Sequence, residues 1–265
     1  MWHIANEKTI MKKLLYLLPV LAVLFAACEK EENAIKDNGQ ENTGTSGSSD
    51  TSGNTDSNTD NPDPISIPVG EAVDLGLSVK WANLNLGASK PEEYGLYFAW
   101  GELRPKTDYS GSNYRYGTSS TLTKYCTRSD YGYNGFVDNK IDLDPEDDAA
   151  HVNWGGDWRM PTKTEMEELR NNCTWTWTTL NGVNGFKVQS IRPGHSDKWI
   201  FLPAAGCHSG LELYFAGEYG LYWSSRIHAL YPQEASYFKL DTNPEYMGTD
   251  TYHRSHGLSV RAVCP

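Results

Sequence analysis

Five acidic side chains lie close together near the middle of the chain: Asp142, Asp144, Glu146, Asp147 and Asp148. Calcium binds several oxygen ligands at once, so this cluster is a candidate calcium site. The spacing is not that of an EF-hand loop, because the required glycine and the distal glutamate are missing. Alternatively, Asp144 followed by a proline and further acids is typical of a helix start, where acids complement the helix dipole. We favour the helix start and expect no metal or other cofactor, with calcium as the alternative.

Cysteine and histidine are the other residues here that could do chemistry. Cys207 stands beside His208, and a nucleophilic thiolate would need such a base. Adjacent side chains of a strand point to opposite faces, so a buried or bridged cysteine explains this pair better. His253 and His256 have no third ligand nearby and indicate a polar turn before the last strand. We therefore expect no catalytic residue and no metal ligand.

The element that follows the acidic cluster has a well-defined start. A Gly155-Gly156 turn leads to Thr162, which can act as the N-cap of a helix with Glu165 as its reciprocal partner, the capping box. Met166 and Leu169 then share one face of that helix. The sequence thus predicts two short helices, one at the acidic cluster and one from Thr162 onward.

Short apolar runs separated by Gly, Asn, Asp and Pro occupy the rest of the chain and predict many strands. The expected strands cover residues 73–77, 78–86, 94–100, 174–178, 186–188, 199–202, 221–224, 236–240 and 258–263. Asn181-Gly182 predicts a tight hairpin between the fourth and fifth of these. Of 9 Trp, 16 Tyr and 7 Phe, only three precede Ser66, which indicates one aromatic-rich domain over residues 66–265.

The start of the chain has the pattern of a targeting signal. Two lysines follow Met11, residues 14–27 are apolar, and Cys28 comes directly after two alanines. This order resembles the signal peptide and lipobox of bacterial lipoproteins, with residues 1–27 removed, the true start at Met11 and Cys28 acylated. We expect Cys28 to anchor the protein in the lipid of the outer membrane.

Residues 28–65 predict a lipidated, disordered linker. From Asp37 to residue 64 the linker has no hydrophobic residue, so it cannot bury enough apolar surface to offset its ordering entropy. Its acidic beginning, Glu29 to Glu32, resembles the signal that directs some Gram-negative lipoproteins to the cell exterior. The formal net charge of −11 and the lack of a basic cluster argue against a nucleic-acid partner.

Six stretches carry a resemblance that spans the whole predicted domain. They are VDLGLSVKWA (73–82), YFAWGE (97–102), WGGDWRMPT (154–162), FLPAAG (201–206), YWSS (222–225) and LSVRAVC (258–264). Their types and order resemble the Fibrobacter succinogenes major paralogous domain family. That resemblance implies a C-type-lectin-like fold, more distantly similar to formylglycine-generating enzymes. The expected class is α+β, with small twisted antiparallel sheets, two short helices and long loops.

The same resemblance implies several contacts. Residues 78–86 would pair with residues 258–264, and a long loop would span residues 203–220. Cys126, Cys173, Cys207 and Cys264 form an even set, for which three disulfide connectivities are possible. The implied fold favours Cys173 with Cys264, because the end of the second helix would lie near the terminal strand.

Aromatic residues in or near the implied loop are the candidate ligand-binding residues: Tyr214, Phe215, Tyr219 and Tyr231. Tyrosine suits a surface where one edge of the ring is wet, whereas packing in the core is the alternative. We expect a surface-anchored lipoprotein whose non-catalytic binding or adhesion module recognises an extracellular glycan or protein. The alternatives are an enzyme of the formylglycine-generating type and a structural subunit of a surface assembly.

Overall fold

A computed structural model describes residues 67–265, so the predicted signal peptide, Cys28 and the whole predicted linker lie outside the described residues. The described chain combines small, mostly antiparallel sheets with two short α-helices and belongs to the α+β class, as expected. No helix in this part of the chain has the length and apolar character needed to cross a membrane.

The helices and strands are short and alternate with irregular segments. The helices are α1 (Ala149–Trp154) and α2 (Lys163–Asn171), with 3-10 turns at Gly111–Asn113, Tyr133–Gly135 and Pro145–Asp147. The strands are β1 (Ala72–Val73), β2 (Lys80–Ala82), β3 (Tyr97–Phe98), β4 (Cys173–Leu180), β5 (Val183–Ser190), β6 (Trp199–Pro203), β7 (Cys207–Ser209), β8 (Glu212–Tyr214), β9 (Gly220–Ile227), β10 (Glu234–Leu240), β11 (Gly248–His253), β12 (Leu258–Ser259) and β13 (Val263–Cys264). They form sheets in the orders β1-β2-β13, β11-β10-β9-β12-β3, β4-β5-β6 and β7-β8.

The two ends of the described chain meet in one sheet. Strand β2 pairs antiparallel with β13, with Trp81 opposite Val263. The pairing continues beyond the strands, because the Leu86 N–H donates to the Val260 carbonyl at 2.9 Å. The expected pairing of residues 78–86 with residues 258–264 is confirmed, although the predicted strand at 258–263 is divided into β12 and β13.

A buried arginine stabilises the contact between the two ends of the described chain. Arg261 is 1% exposed and donates from Nε to Asn85 Oδ1 at 2.9 Å, from Nη1 to the Ala82 carbonyl at 3.0 Å and from Nη2 to the Phe201 carbonyl at 2.8 Å. Burial lowers the pKa of its guanidinium to about 10. Neutral oxygens from two separate segments therefore hold this cation in place.

The hairpin of β4 and β5 confirms the turn prediction and extends it. Asn181 and Gly182 both have positive φ, at 50° and 86°, as a two-residue hairpin turn of type I′ requires. The register runs without a break from Cys173 opposite Ser190 to Leu180 opposite Val183. Both strands are therefore longer than the short apolar runs predicted.

The prediction that Asp144 caps the first helix is wrong. Residues 145–147 form only a 3-10 turn, and the extended backbone of Asp148 then restarts the helix. The Asp148 carboxylate accepts hydrogen bonds from the N–H groups of Ala150 at 2.9 Å, His151 at 3.1 Å and Met160 at 2.8 Å. The cap of α1 is therefore a buried carboxylate that also fixes the approach to α2.

The capping box of α2 is confirmed. Thr162 Oγ1 accepts from the Glu165 N–H at 3.2 Å, and the Glu165 carboxylate accepts from the Thr162 N–H at 2.8 Å. Arg159 adds a bidentate pair to Glu165, at 2.9 and 2.6 Å. Met166 and Leu169 are each 2% exposed, and they place the apolar face of the helix against the core.

The implied loop over residues 203–220 is not wholly irregular. Residues 207–214 form the small hairpin β7–β8, in which Cys207 lies opposite Tyr214. The apolar pattern of this segment is too short to indicate strands by periodicity alone. The loop expectation is therefore corrected to a two-stranded hairpin, which is bonded to the domain through Tyr109 and Gly257.

Candidate functional site

The acidic cluster is neutralised by basic side chains. Asp142 forms a bidentate pair with Arg226, at 2.6 and 2.8 Å. Lys124 pairs with Asp144 at 2.9 Å and also contacts Asp147. Within residues 67–265, no three histidine, cysteine, aspartate or glutamate side chains are grouped so that they could hold a metal ion. The calcium alternative gains no support from this geometry.

The predicted disulfide between Cys173 and Cys264 is absent, because the four cysteines within residues 67–265 all carry free thiols. Cys173 begins β4 in one sheet, whereas Cys264 ends the chain's last strand in another. Burial raises the pKa of Cys173 to about 11 and that of Cys207 to about 12. It also raises the pKa of Cys126 and of Cys264. All four thiols are therefore protonated at neutral pH and are poor nucleophiles.

Cys207 and His208 have different surroundings. Cys207 is 1% exposed and belongs to the larger of two clusters of buried hydrophobic residues, which we call the main core. The His208 ring packs against Tyr97 and Tyr109 at centroid distances of 4.7 and 5.2 Å. Burial lowers the pKa of His208, so its ring is neutral at pH 7. With a protonated thiol beside it, the pair is not an activated nucleophile.

Of the second pair of histidines, His253 ends β11 and only His256 lies in the predicted turn before β12. The ring centroids of His253 and His256 are 6.0 Å apart, and the ring centroid of Tyr252 lies 4.4 Å from that of His256. Burial lowers the pKa of His256 to about 4. Its Nδ1 atom, like that of His208, is buried and has no hydrogen-bond partner among the described residues. The imidazoles of His208 and His256 are therefore neutral at pH 7.

Three of the four candidate binding aromatics lie together. The rings of Tyr214 and Phe215 are 6.1 Å apart, and those of Phe215 and Tyr219 are 5.5 Å apart. Phe215 and Tyr219 pack against the main core, which supports the packing alternative for these two. Tyr214 is 39% exposed, and Leu211 and Leu213 of the same hairpin are also exposed; we call these three residues the apolar hairpin.

Tyr231 lies in a different environment. Its ring is 47% exposed and stacks on His228 at a centroid distance of 5.0 Å. The His228 Nδ1 atom accepts from the backbone N–H groups of Leu230 at 3.2 Å and Tyr231 at 3.0 Å. The histidine therefore holds the loop so that the tyrosine ring stays at the surface.

Tyr231 belongs to a surface that we call the tyrosine shelf: Arg128, Asp130, Tyr131, Leu230 and Tyr231. Arg128 pairs with Asp130 in bidentate fashion, at 3.0 and 2.6 Å, and its guanidinium carbon lies 5.2 Å from the Tyr131 ring centroid. It also donates to the Leu230 carbonyl at 3.3 Å. The hydrogen bond to Asp130 raises the pKa of Arg128, and both tyrosines add to this shift. The shelf joins two segments about one hundred residues apart.

Sequence reasoning found only Tyr231 of this surface. Arg128 and Asp130 are two residues apart, a spacing common in turns, and nothing in the sequence connects them to residues 230–231. The contact depends on tertiary structure, including a 2.7 Å hydrogen bond from Thr127 Oγ1 to the Ala229 carbonyl.

Comparison with known proteins yields no relative: no protein-family model, curated protein or solved structure matches the chain. The surface geometry is therefore the basis for assigning a function.

Proposed function

We propose that residues 66–265 form a non-catalytic binding and adhesion module that recognises an extracellular glycan or protein through the tyrosine shelf. In this proposal, Cys28 carries the lipid anchor, and residues 28–65 hold the module outside the outer membrane of a Gram-negative cell. The observation that carries the proposal is the exposed ring of Tyr231, together with the half-buried Tyr131, beside the Arg128–Asp130 ion pair.

The chemistry of the shelf suits a ligand with both apolar and hydroxyl-bearing surfaces. Tyrosine rings offer broad apolar contact together with a polar edge. The guanidinium and carboxylate supply donors and acceptors in fixed positions, and their side chains are 42% and 56% exposed. Because the two charges neutralise each other, the shelf favours an uncharged ligand such as a neutral glycan.

The alternative of a formylglycine-generating type of enzyme has less support. A cysteine-based oxidase needs a thiolate, whereas burial raises the pKa of all four described thiols. The neutral, buried imidazole of His208 does not supply a base for Cys207.

The proposed fold is C-type-lectin-like. Its support comes from the pairing of the chain ends through β2 and β13, the two short helices and the hairpin between β6 and β9. These features agree with the family resemblance of the six sequence stretches.

A second candidate function, a subunit of a surface assembly, is favoured by the apolar hairpin. Leu211 is 72% exposed and Leu213 is 41% exposed, beside Tyr214. Exposed large apolar side chains close together in the sequence are typical of protein contacts.

The test is binding of the full chain, kept in detergent, to arrays of glycans and of cell-surface proteins. Tyr231→Ala should weaken binding to the recognised ligand by at least about tenfold, since hot-spot tyrosines contribute more than about 1.4 kcal/mol. Tyr246→Ala removes an equally exposed ring elsewhere, 48% exposed against 47%, and should leave binding unchanged.

Three outcomes would contradict the proposal. Equal loss in both variants would show that the shelf is not the contact surface. Chemical modification of an arrayed peptide would indicate an enzyme. Purification of the native protein only within a large complex that Leu211→Ser disrupts would favour the assembly subunit.

A further inference from the structure

A second surface lies on the outer face of the sheet formed by β4, β5 and β6. The register places Trp199, Gln189 and Thr174 in one row across the three strands. The next row contains Thr176, Lys187 and Phe201, of which Phe201 is buried. Directly opposed residues and residues two apart share one side of a sheet, so all six side chains lie on the same face. We call the five other than Phe201 the outer sheet face.

The aromatic member of this face is exposed and held by its neighbours. Trp199 is 41% exposed, although large aromatics are usually buried. The Lys187 ammonium lies 5.2 Å from its ring centroid, a cation–π contact. Gln189 stands about 5 Å away on the adjacent strand, and its Nε2 donates to the Ser196 carbonyl at 2.6 Å. That bond leaves the Gln189 carbonyl oxygen available as an acceptor.

The charge of this face is unbalanced. Lys187 is the one charged residue among the five, and no carboxylate within residues 67–265 is recorded in an ion pair with it. The neighbouring Lys198, by contrast, pairs with Asp197 at 2.9 Å. An ammonium without a counter-ion, beside an exposed indole ring and two threonine hydroxyls, is complementary to an anion attached to a flat, hydroxyl-bearing group.

We propose that the outer sheet face binds a carbohydrate unit that carries a carboxylate, that is, an acidic sugar. The sugar ring packs on Trp199, its carboxylate accepts from the Lys187 ammonium, and its hydroxyls meet Gln189, Thr174 and Thr176. A polyphosphate or nucleic acid is a poorer match, because one cation on a chain of net charge −11 cannot offset many phosphates. This site is separate from the tyrosine shelf, whose charges are already paired.

The test measures binding of the full chain to two forms of one oligosaccharide, an oligogalacturonate and its methyl ester. The esterified form keeps the rings and loses the charge. The wild-type chain should prefer the acid form by at least about tenfold, equivalent to about 1.4 kcal/mol. The preference should weaken as salt concentration rises.

Three variants separate the contributions of the charge and of the aromatic ring to binding. Lys187→Gln should abolish the preference while leaving residual binding of both forms, and Trp199→Ala should weaken binding of both. Lys198→Gln removes an equal charge one residue from Trp199 and should preserve the preference. Thermal unfolding of each variant checks that the sheet remains folded.

Three results would overturn the inference, and the first two are equal affinity of the wild-type chain for acid and ester and a preference that survives Lys187→Gln. Absence of acid binding would likewise refute it. Tyr231→Ala tells this inference apart from the proposed function, because it should leave acid-sugar binding intact while removing the shelf ligand. If the shelf ligand binds and the acid sugar does not, this inference alone fails.

Discussion

The buried imidazole of His256 should make the stability of the domain depend on pH in a defined direction. Burial lowers the pKa of His256 from 6.5 to about 4, and the neighbouring His253 adds to the shift. Between these pKa values the unfolded chain binds a proton that the folded chain does not. Stability contributed by the neutral ring is therefore complete above pH 6.5 and falls as the pH falls towards 4.

The size of the effect follows from the two pKa values. One pKa unit corresponds to about 1.4 kcal/mol, so the full loss between 6.5 and about 4 is about 3 kcal/mol. A comparison of pH 7.5 with pH 5.5 captures only the upper part of that range, which corresponds to about 1 kcal/mol. Burial also lowers the pKa of His208, which acts in the same direction.

The assay is urea unfolding of the full chain at pH 7.5 and pH 5.5, with the difference in unfolding free energy as the readout. His256→Gln should reduce this difference by about 1 kcal/mol, whatever its effect on absolute stability. His195→Gln removes a partly exposed histidine whose Nδ1 lies 3.5 Å from an Asp74 oxygen, and it serves as the matched control. The effect specific to His256 is the part of the change in His256→Gln that exceeds any change in this control.

One result would refute the reasoning. If His256→Gln showed the same loss of stability between pH 7.5 and pH 5.5 as the wild-type chain, the ring would be solvated or already charged in the folded state. The inference that its unpartnered Nδ1 atom lies in a dry environment would then be wrong.

Two further changes test the packing. Asp148→Ala removes the acceptor of three backbone N–H groups and should lower the free energy of unfolding in urea by roughly 2–4 kcal/mol. Asp144→Ala should lower it by less than about 1 kcal/mol. Equal losses of stability in the two variants would indicate that Asp144 is the cap. Arg261→Met leaves three oxygens without the arginine that donates to them and should lower stability by roughly 3–5 kcal/mol, measured by thermal unfolding. Unchanged stability would show that those oxygens find other hydrogen-bond donors.

The sequence predicts the fold wherever a local rule decides the geometry. The capping box at Thr162 and the hairpin turn at Asn181-Gly182 depend on residues only a few positions apart, and both are confirmed. The sequence does not show which aspartate caps the first helix, because Asp144 and Asp148 both have the residue type of an N-cap. Only the backbone turn between them shows which carboxylate reaches the N–H groups.

The candidate sites were harder to predict because they combine distant segments. Arg128 meets Leu230 across about one hundred residues, and no periodicity reports such a contact. Lys187 and Trp199 do follow from strand alternation, but only once the register of β5 with β6 is known. A one-residue shift in that register would turn Trp199 into the core.

The pairing of β2 with β13 has a consequence for folding during synthesis. Trp81 is synthesised 182 residues before its partner Val263. A nascent chain cannot form that strand pair until residue 263 has left the ribosome. Such long-range closure is slow and leaves incomplete sheets exposed, so we expect the chain to need chaperone protection during synthesis.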